Sequence, residues 1–273
     1  MVSEKDNIRN FCQLCEQRET LPISDNYIYE IKFDGERVRV VKKGEEVLLF
    51  NRRGFNKNFQ YPEIVDELRS QEHDFILDGE IACADMSGLN ILNRRALQTD
   101  DFKIKLLVEQ IPVKFFVFDI LEIDGKDVRE QPLLIRKTIL NSFLLDTEHI
   151  EIVKYWFSSQ VKELWKRIER ENLEGVIAKV KVSDYRFERN SNWIKVKHTR
   201  EVVVNCLGYK QDSKRSPFGS MITDKGNVSL LTEENKKFYL EHNPKQAVVN
   251  HFGIYPSGKM RNPRFERWID ERS

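Results

Sequence analysis

Tyr29-Glu30-Ile31-Lys32-Phe33-Asp34-Gly35-Glu36-Arg37-Val38 is the stretch whose reading decides the fold. Tyr27, Tyr29 and Ile31 alternate with polar neighbours, the period of a half-buried strand, and Val38, Val40 and Val41 restart an apolar pattern. The spacing predicts a strand that breaks in a tight turn at Gly35 and resumes. Lys32 then stands at a strand end, with Asp34 and Arg37 close behind it. An amine attacks only when unprotonated. A nucleophilic lysine here needs desolvation or neighbouring positive charge, from other lysines or a divalent metal, to lower its pKa. Taken alone, Lys-x-Asp-Gly-x-Arg fits a solvated surface hairpin equally well.

The rest of the chain weighs on that choice. With 273 residues, room exists for roughly two domains. Hydrophobic residues at 40% and aromatics at 11% are enough for real cores, which excludes global disorder. Lys+Arg 45 against Asp+Glu 44 leaves a net charge of +1, so any nucleic-acid face must gather its cations locally. No apolar run is long enough to span a membrane and no basic-then-apolar leader opens the chain. Cys12 and Cys15 form a C-x-x-C with no second pair at zinc-finger spacing; with Cys83 and Cys206 they are read as ordinary residues in a reducing, cytoplasmic setting.

Periodicity predicts a helix over Glu4 to Arg18, then strands at Tyr27 to Lys32, Arg37 to Lys42 and Glu46 to Asn51, with a turn at Asn51-Arg52-Arg53-Gly54. A helix opens at Pro62, a strand interrupted at Asp78-Gly79-Glu80 covers Phe75 to Ala84, and helices follow at Leu89 to Leu97 and Lys103 to Gln110. Val113 to Leu121 reads as a buried strand, Pro132 to Phe143 as a helix and Ile150 to Tyr155 as a short strand. Ser158 to Arg170 is amphipathic through Val161, Leu164, Trp165 and Ile168. Strands at Gly175 to Val180 and Trp193 to Val196 close this unit. After Arg200 the texture changes to short β-like segments, Val202 to Tyr209 and Val228 to Leu231, with one helix near Glu233 to Glu241. A small β-barrel is expected there. No internal repeat or low-complexity tract is present.

Four further strings accompany Lys32: Asp78-Gly79-Glu80, Phe116-Val117-Phe118-Asp119, Glu174-Gly175-Val176-Ile177-Ala178-Lys179 and Trp193-Ile194-Lys195-Val196-Lys197. Side chains alternate along a strand, so Phe116 and Phe118 share a face, as do Lys195 and Lys197. Lysines neutralise phosphate, carboxylates hold hard cations and an aromatic ring stacks a base, which is the equipment a magnesium-bound nucleoside triphosphate requires.

In this order and spacing the strings resemble the six motifs of the ATP-dependent DNA ligases, in the covalent nucleotidyltransferase superfamily, from about Tyr29 to the C-terminus. The resemblance implies an α+β fold: a nucleotidyltransferase domain of ATP-grasp-like antiparallel sheets with flanking helices over residues 1–199, then an all-β OB-fold barrel over 200–273. It makes Lys32 the nucleophile that takes AMP as a phosphoramidate and sets Glu30 beside the adenine. Arg37 and Arg52 would bind ribose or phosphate, Arg52 within a string like the family's Ser-Arg-x-Gly. Glu80 would contact the ribose or the metal, Glu174 would hold magnesium or manganese, and Phe118 would stack on adenine with Phe116 as second choice. Lys195 and Lys197 would grip the α-phosphate, and Arg189 matches a basic position of the family. Lys179 and Asp34 are weaker candidates, Asp34 more as a loop brace. Asp78 and Asp119 are read as turn caps outside the site, and core packing competes as the reading for both phenylalanines.

The last motif departs from the family. Pro263-Arg264-Phe265-Glu266-Arg267 matches, but Ile269 stands where an arginine is usual and Arg272 where a lysine is, so Arg267 or Arg272 must orient the leaving pyrophosphate or self-adenylation is slow. No helical DNA-binding domain is expected ahead of the catalytic unit, nor room for the extra domains of NAD-dependent ligases. Lys210, Lys214, Arg215, Arg261, Arg264 and Arg267 could track phosphates, with a solvated rim as the competing reading. The expected partner is nicked double-stranded DNA, met by a monomer that a repair polymerase or end-binding protein could assist. RNA ligase, capping-type guanylyltransferase and a non-catalytic OB nucleic-acid binder are the alternatives.

Overall fold

The alternating stretches condense into three sheets. The structure, a computed structural model, describes residues 12–211, 219–229, 232–254 and 257–269. The chain divides into two compact units, Met1–Val196 and Lys197–Ser273. The first unit runs β1 (Leu14–Gln17), β2 (Tyr27–Lys32), β3 (Glu36–Lys43), β4 (Glu46–Asn51), α1 (Pro62–Arg69), β5 (Phe75–Cys83), α2 (Leu89–Ala96) and α3 (Asp101–Gln110). It continues β6 (Val113–Ile123), β7 (Lys126–Asp127), α4 (Leu133–Phe143), β8 (Ile150–Ile152), β9 (Tyr155–Trp156), a 3-10 turn (Ser158–Gln160), α5 (Val161–Arg170), β10 (Gly175–Val180) and β11 (Arg189–Lys197). One sheet has the order β1-β11-β10-β2-β9; the other is β4-β3-β5-β6-β7, with β8 alongside β6. β1 pairs with β11 and β6 with β8 in parallel, while β2 runs antiparallel to β10 and β9, and β3 to β4 and β5.

Side-chain parity places the cores. On the first sheet Tyr29, Ile31, Val176, Ala178 and Ile194 pack under Val161, Leu164 and Ile168 of α5. On the second, Val38, Val40, Leu77 and Phe115 meet Ile64, Leu92, Leu107 and Leu140 of the flanking helices. A third cluster, with Ala82, Phe116, Phe118, Tyr185 and Trp193, fills the space between the sheets. Register follows from these faces. A one-residue slip of β2 would lift Tyr29 and Ile31 out of their core, at roughly 1.5–3 kcal/mol each, and push Lys32 under α5 without a partner. Helix ends obey local rules: α1 starts on Pro62 with Glu63 in its first turn, and Asp100 caps α3 by accepting from the Lys103 N–H.

The second unit contains β12 (Arg200–Lys210), β13 (Ser220–Thr223), β14 (Gly226–Val228), α6 (Glu233–His242), β15 (Gln246–His251) and β16 (Arg264–Ile269). Its sheet, β14-β13-β12-β15-β16, is antiparallel and packs Val204, Met221, Ala247 and Val249 with Tyr239 of α6. The expected closed barrel does not form among the described residues. Among those residues the far edge is met through an isolated bridge, Ser229 to Arg264, just past the end of β14.

Three local expectations are also corrected. Within the stretch read as an N-terminal helix, Leu14–Gln17 is a strand, drawn into the sheet edge by parallel pairing with β11; residues 4–11 lie outside the described ones. Ile150 to Tyr155 is not one strand: β8 joins β6 in one sheet and β9 joins β2 in the other. The strand through Asp78-Gly79-Glu80 is continuous, its irregularity taken up by register shifts against β6. No helix among the described residues is long and apolar enough to cross a membrane.

Candidate active site

Strand register brings the singled-out side chains together. Lys32 lies opposite Gly175, so Glu174, one step before β10, reaches back and pairs its carboxylate with the Lys32 ammonium. Glu30 faces Ile177 across the same ladder. Gly35 is required by close approach: a Cβ there would overlap the Ile81 carbonyl, so only glycine lets the loop after Lys32 run against β5. Gly79 is pressed in the same way by the Phe115 ring and the Phe116 carbonyl. Opposite it the register jumps from Val117 to Asp119, leaving Phe118 as the extra residue of a β-bulge, a device that re-aims a side chain.

The result is a cleft of about 750 Å³, counted to its open mouth, between the two sheets of the first unit. Lys32, Arg37, Arg52, Arg189 and Lys195 line it against the carboxylates of Glu30 and Glu80, a cationic balance suited to a polyanion. Phe118 lines it too, with the Arg37 guanidinium and the Lys179 ammonium each 4.4 Å from its ring centroid.

Charge in the cleft is tightly paired. Burial works against the Lys32 ammonium, but the Glu174 and Glu80 charges and the hydrogen bond to Glu174 outweigh it and hold its pKa above the ordinary lysine value. Among the protein's own groups the carboxylates outweigh the neighbouring cations at Lys32. Arg37 is gripped by Asp78 through Nε at 2.6 Å and Nη2 at 2.5 Å, which raises its pKa further despite burial. Glu30 is almost wholly buried and pairs with Lys137 at 2.6 Å and Lys179 at 2.7 Å. Burial depresses Lys179, partly offset by Glu30.

Glu80 is the titratable oddity. Burial, with Glu174 and Asp78 pushing the same way against Lys32 and Arg37, lifts its carboxyl to about 7. The folded state thus holds a proton that the unfolded chain releases near its ordinary value of 4.5. Stability from this group falls as pH rises between those two values and levels above them. Urea midpoints measured across that range should decline in the wild type and decline less in Glu80→Gln; parallel slopes would refute the assignment.

Magnesium fits the donor set. Glu80 and Glu174 offer hard carboxylate oxygens beside Lys32, and a cation there would stabilise the charge that burial disfavours on Glu80. Two carboxylates, with water and phosphate completing the shell, are what this ion takes; no group of three or more candidate ligands occurs among the described residues.

The remaining candidates scatter. Phe116 does not line the cleft but stacks at 4.0 Å on Phe33, which does. Asp34 accepts from the Leu89 N–H at 3.0 Å and braces the loop. Arg189 donates to the Cys15 carbonyl. Lys197 belongs to the second unit, its ammonium 4.6 Å from the Phe252 ring centroid, and Arg267 there pairs with Glu201 at 3.3 Å. Arg272 lies outside the described residues, as do Lys214 and Arg215. Asp78 and Asp119 are not turn caps: both are fully buried, Asp78 paired with Arg37 and Asp119 with Arg136. Sequence reasoning missed Phe33, Ile177 and the Cys12 and Cys15 walls of the cleft. Ile177 was accessible by parity, since it alternates with Val176 and Ala178, which face α5.

A family model described as the ATP dependent DNA ligase domain matches residues 11–197. A probable DNA ligase of Dictyoglomus thermophilum is 33% identical over 205 residues, 70% of this chain and 35% of that relative. A probable DNA ligase of Aquifex aeolicus is 30% identical over 211 residues, 71% of this chain and 36% of the other. The chain thus spans about a third of the length of these relatives. Among solved structures, one from a study of Lig E DNA ligases, titled as DNA binding with a minimal scaffold, superposes with a TM-score of 0.68 at 18% identity, covering 94% of this chain and 98% of that one. The ligase domain of M. tuberculosis LigD gives 0.55 at 19% identity over 97% of each. At such identities the structures share a fold.

Proposed function

This chain belongs to the ATP-dependent DNA ligase family, and on that premise we propose that it seals nicks in DNA through an adenylate carried on Lys32. The observation that carries the reading is the Lys32–Glu174 ion pair, beside Glu80, at the wall of a cleft otherwise rich in cations. In the first step the Lys32 amine forms a bond to the α-phosphorus of ATP and pyrophosphate leaves with the electrons of the broken P–O bond. Glu174, already hydrogen-bonded to the ammonium, is the group positioned to take its proton. Bound magnesium, held by Glu80 and Glu174, would supply charge stabilisation at the phosphates. Phe118 and Ile177, from the two sheets, are read as the walls around adenine, Glu30 as its neighbour, and Arg37, Arg52, Lys195 and Lys197 as ribose or phosphate contacts. AMP then passes to a 5′-phosphate oxygen, returning Lys32 as an amine. Finally the adjacent 3′-hydroxyl attacks that phosphate and AMP leaves.

Residues 1–199 are read as the adenylation domain and 200–273 as an open OB-type domain, with the two changing pose between the ATP and DNA steps. A monomer aided by a repair polymerase or end-binding protein is read from the family resemblance, and a cytoplasmic setting from the cysteine pattern. DNA binding should be weak and fall steeply with salt, because the exposed Lys210 and Arg264 offer phosphate contacts rather than base readout, whereas Arg261 is buried. A filter-binding series insensitive to salt would contradict it.

The deciding experiment supplies magnesium with α-labelled ATP, α-labelled GTP or labelled NAD and asks which becomes covalently attached. Label from ATP alone, with sealing of nicked DNA in preference to nicked RNA, is expected. Label from GTP would indicate a guanylyltransferase, sealing of RNA an RNA ligase, and no label a non-catalytic nucleic-acid binder.

A further inference from the structure

We propose that Asn51 and Glu36 are positioning residues for Arg52, tying the arginine's turn to the loop that carries Lys32; the inference rests on the nucleotide-site reading above. Arg52 lines the cleft yet is exposed and has no ion-pair partner among the described residues. Its aim therefore depends on the backbone that presents it.

That backbone is held by one side chain. Asn51 Oδ1 accepts from the N–H groups of Arg53 at 3.0 Å and Phe55 at 3.1 Å, while its main chain closes the same turn with Gly54 at 2.8 Å and Phe55 at 3.0 Å. The other half of the amide, Nδ2, donates to Glu36 Oε1 at 3.0 Å. Asparagine is suited to this place because one planar amide supplies both acceptor and donor. Glu36 is anchored in turn. The hydroxyl of fully buried Tyr61 donates to its Oε2 at 2.9 Å, and Lys57 Nζ lies 3.3 Å from its Oε1. Lys57 also donates to the Ala96 carbonyl at 2.8 Å, at the last residue of α2.

Glu36 opens β3 directly after the loop that follows Lys32, and Asp34 within that loop accepts from Leu89, the first residue of α2. Both the nucleophile's loop and the arginine's turn are thus fastened to one helix, at its two ends. A nucleotide bridging Lys32 and Arg52 meets a pre-set spacing rather than two independent loops, which is how fixed geometry lowers the cost of alignment.

The test is a double-mutant cycle on formation of covalent Lys32-AMP. Asn51→Ala should raise KM for ATP about tenfold, the scale of one or two lost hydrogen bonds, with kcat within about twofold. In an Arg52→Ala background the same change should add almost nothing, because its route to the nucleotide is gone. Asn51→Asp keeps both acceptor bonds of the turn but sets a carboxylate against Glu36; it tests the Glu36 link should the alanine variant fail to fold, and should show the same KM rise. Loss of stability alone would act alike in both backgrounds. Additive effects, or a wild-type KM in both Asn51 variants, overturn the proposal while leaving the ligase reading intact if the wild type takes label. A wild type that neither takes label nor binds ATP in calorimetry overturns both.

Discussion

Lys32→Ala protein given α-labelled ATP and magnesium takes up no label, a loss of at least about four orders of magnitude in adenylylation, as expected when the nucleophile itself is removed. The same variant still joins a nick whose 5′ end already carries adenylate, because in that step the 3′-hydroxyl is the nucleophile and the lysine is idle. Lys32→Arg should fail as completely in the first assay, since a guanidinium does not lose its proton in proteins. The structure adds a reason why the wild type needs its substrate to become reactive. With Glu174 and Glu80 beside it, Lys32 is a stabilised ammonium, so binding must redirect those carboxylates before the amine is free. Gel autoradiography measures the first outcome and sealing of a synthetic adenylated nick the second. Label retained on the alanine variant would remove Lys32 from the mechanism. Equal loss in both assays would mean the substitution damages the fold instead.

Asp78→Ala should be the most destabilising single change near the cleft. The Asp78 carboxylate is fully buried, takes two hydrogen bonds from Arg37 and one from the Tyr185 hydroxyl, and has no access to water. Its removal leaves the largely buried Arg37 guanidinium, 15% exposed, without its carboxylate, a loss of up to about 3–5 kcal/mol. In a unit of this size that lowers Tm by on the order of 10 °C. The ion pair is not indispensable to folding, however. Arg37→Met with Asp78→Leu removes both charges, and should recover much of the lost Tm, because apolar replacements of a buried pair are often neutral. Adenylylation should stay low in the double variant, since Arg37 lines the cleft. Thermal unfolding followed by circular dichroism checks the first part and labelling the second. An Asp78→Ala protein within about 1 kcal/mol of wild type would show that water reaches the pair.

The two outcomes bear on what could be read without coordinates. Lys32, Glu174 and Lys195 were legible because each sits at a strand end or on an alternating run, where period two alone says which side chains emerge together. Asp78 was misread because a lone aspartate before glycine has the signature of a turn. Its partners Arg37 and Tyr185 are 41 and 107 residues away in the chain, beyond any local pattern. Phe118, the first choice over Phe116, does line the cleft, though what favours it lies outside any local pattern. Both share a face of β6, and only the bulge against Gly79 turns the second toward the cleft.

The sequence by itself determined the family and most of the strands and helices that carry the candidate site, because these follow from alternation, helix-start signals and short strings of chemically committed residues. The tertiary structure decided the rest: that Leu14–Gln17 is a strand, that β8 and β9 part to different sheets, that the second unit's sheet closes no barrel among the described residues, and that nearby carboxylates raise the Lys32 pKa. Each of these depends on which distant segment comes to lie alongside. Pairing partners and the net balance of burial against nearby charge are properties of the assembled neighbourhood, and no window along the chain contains them.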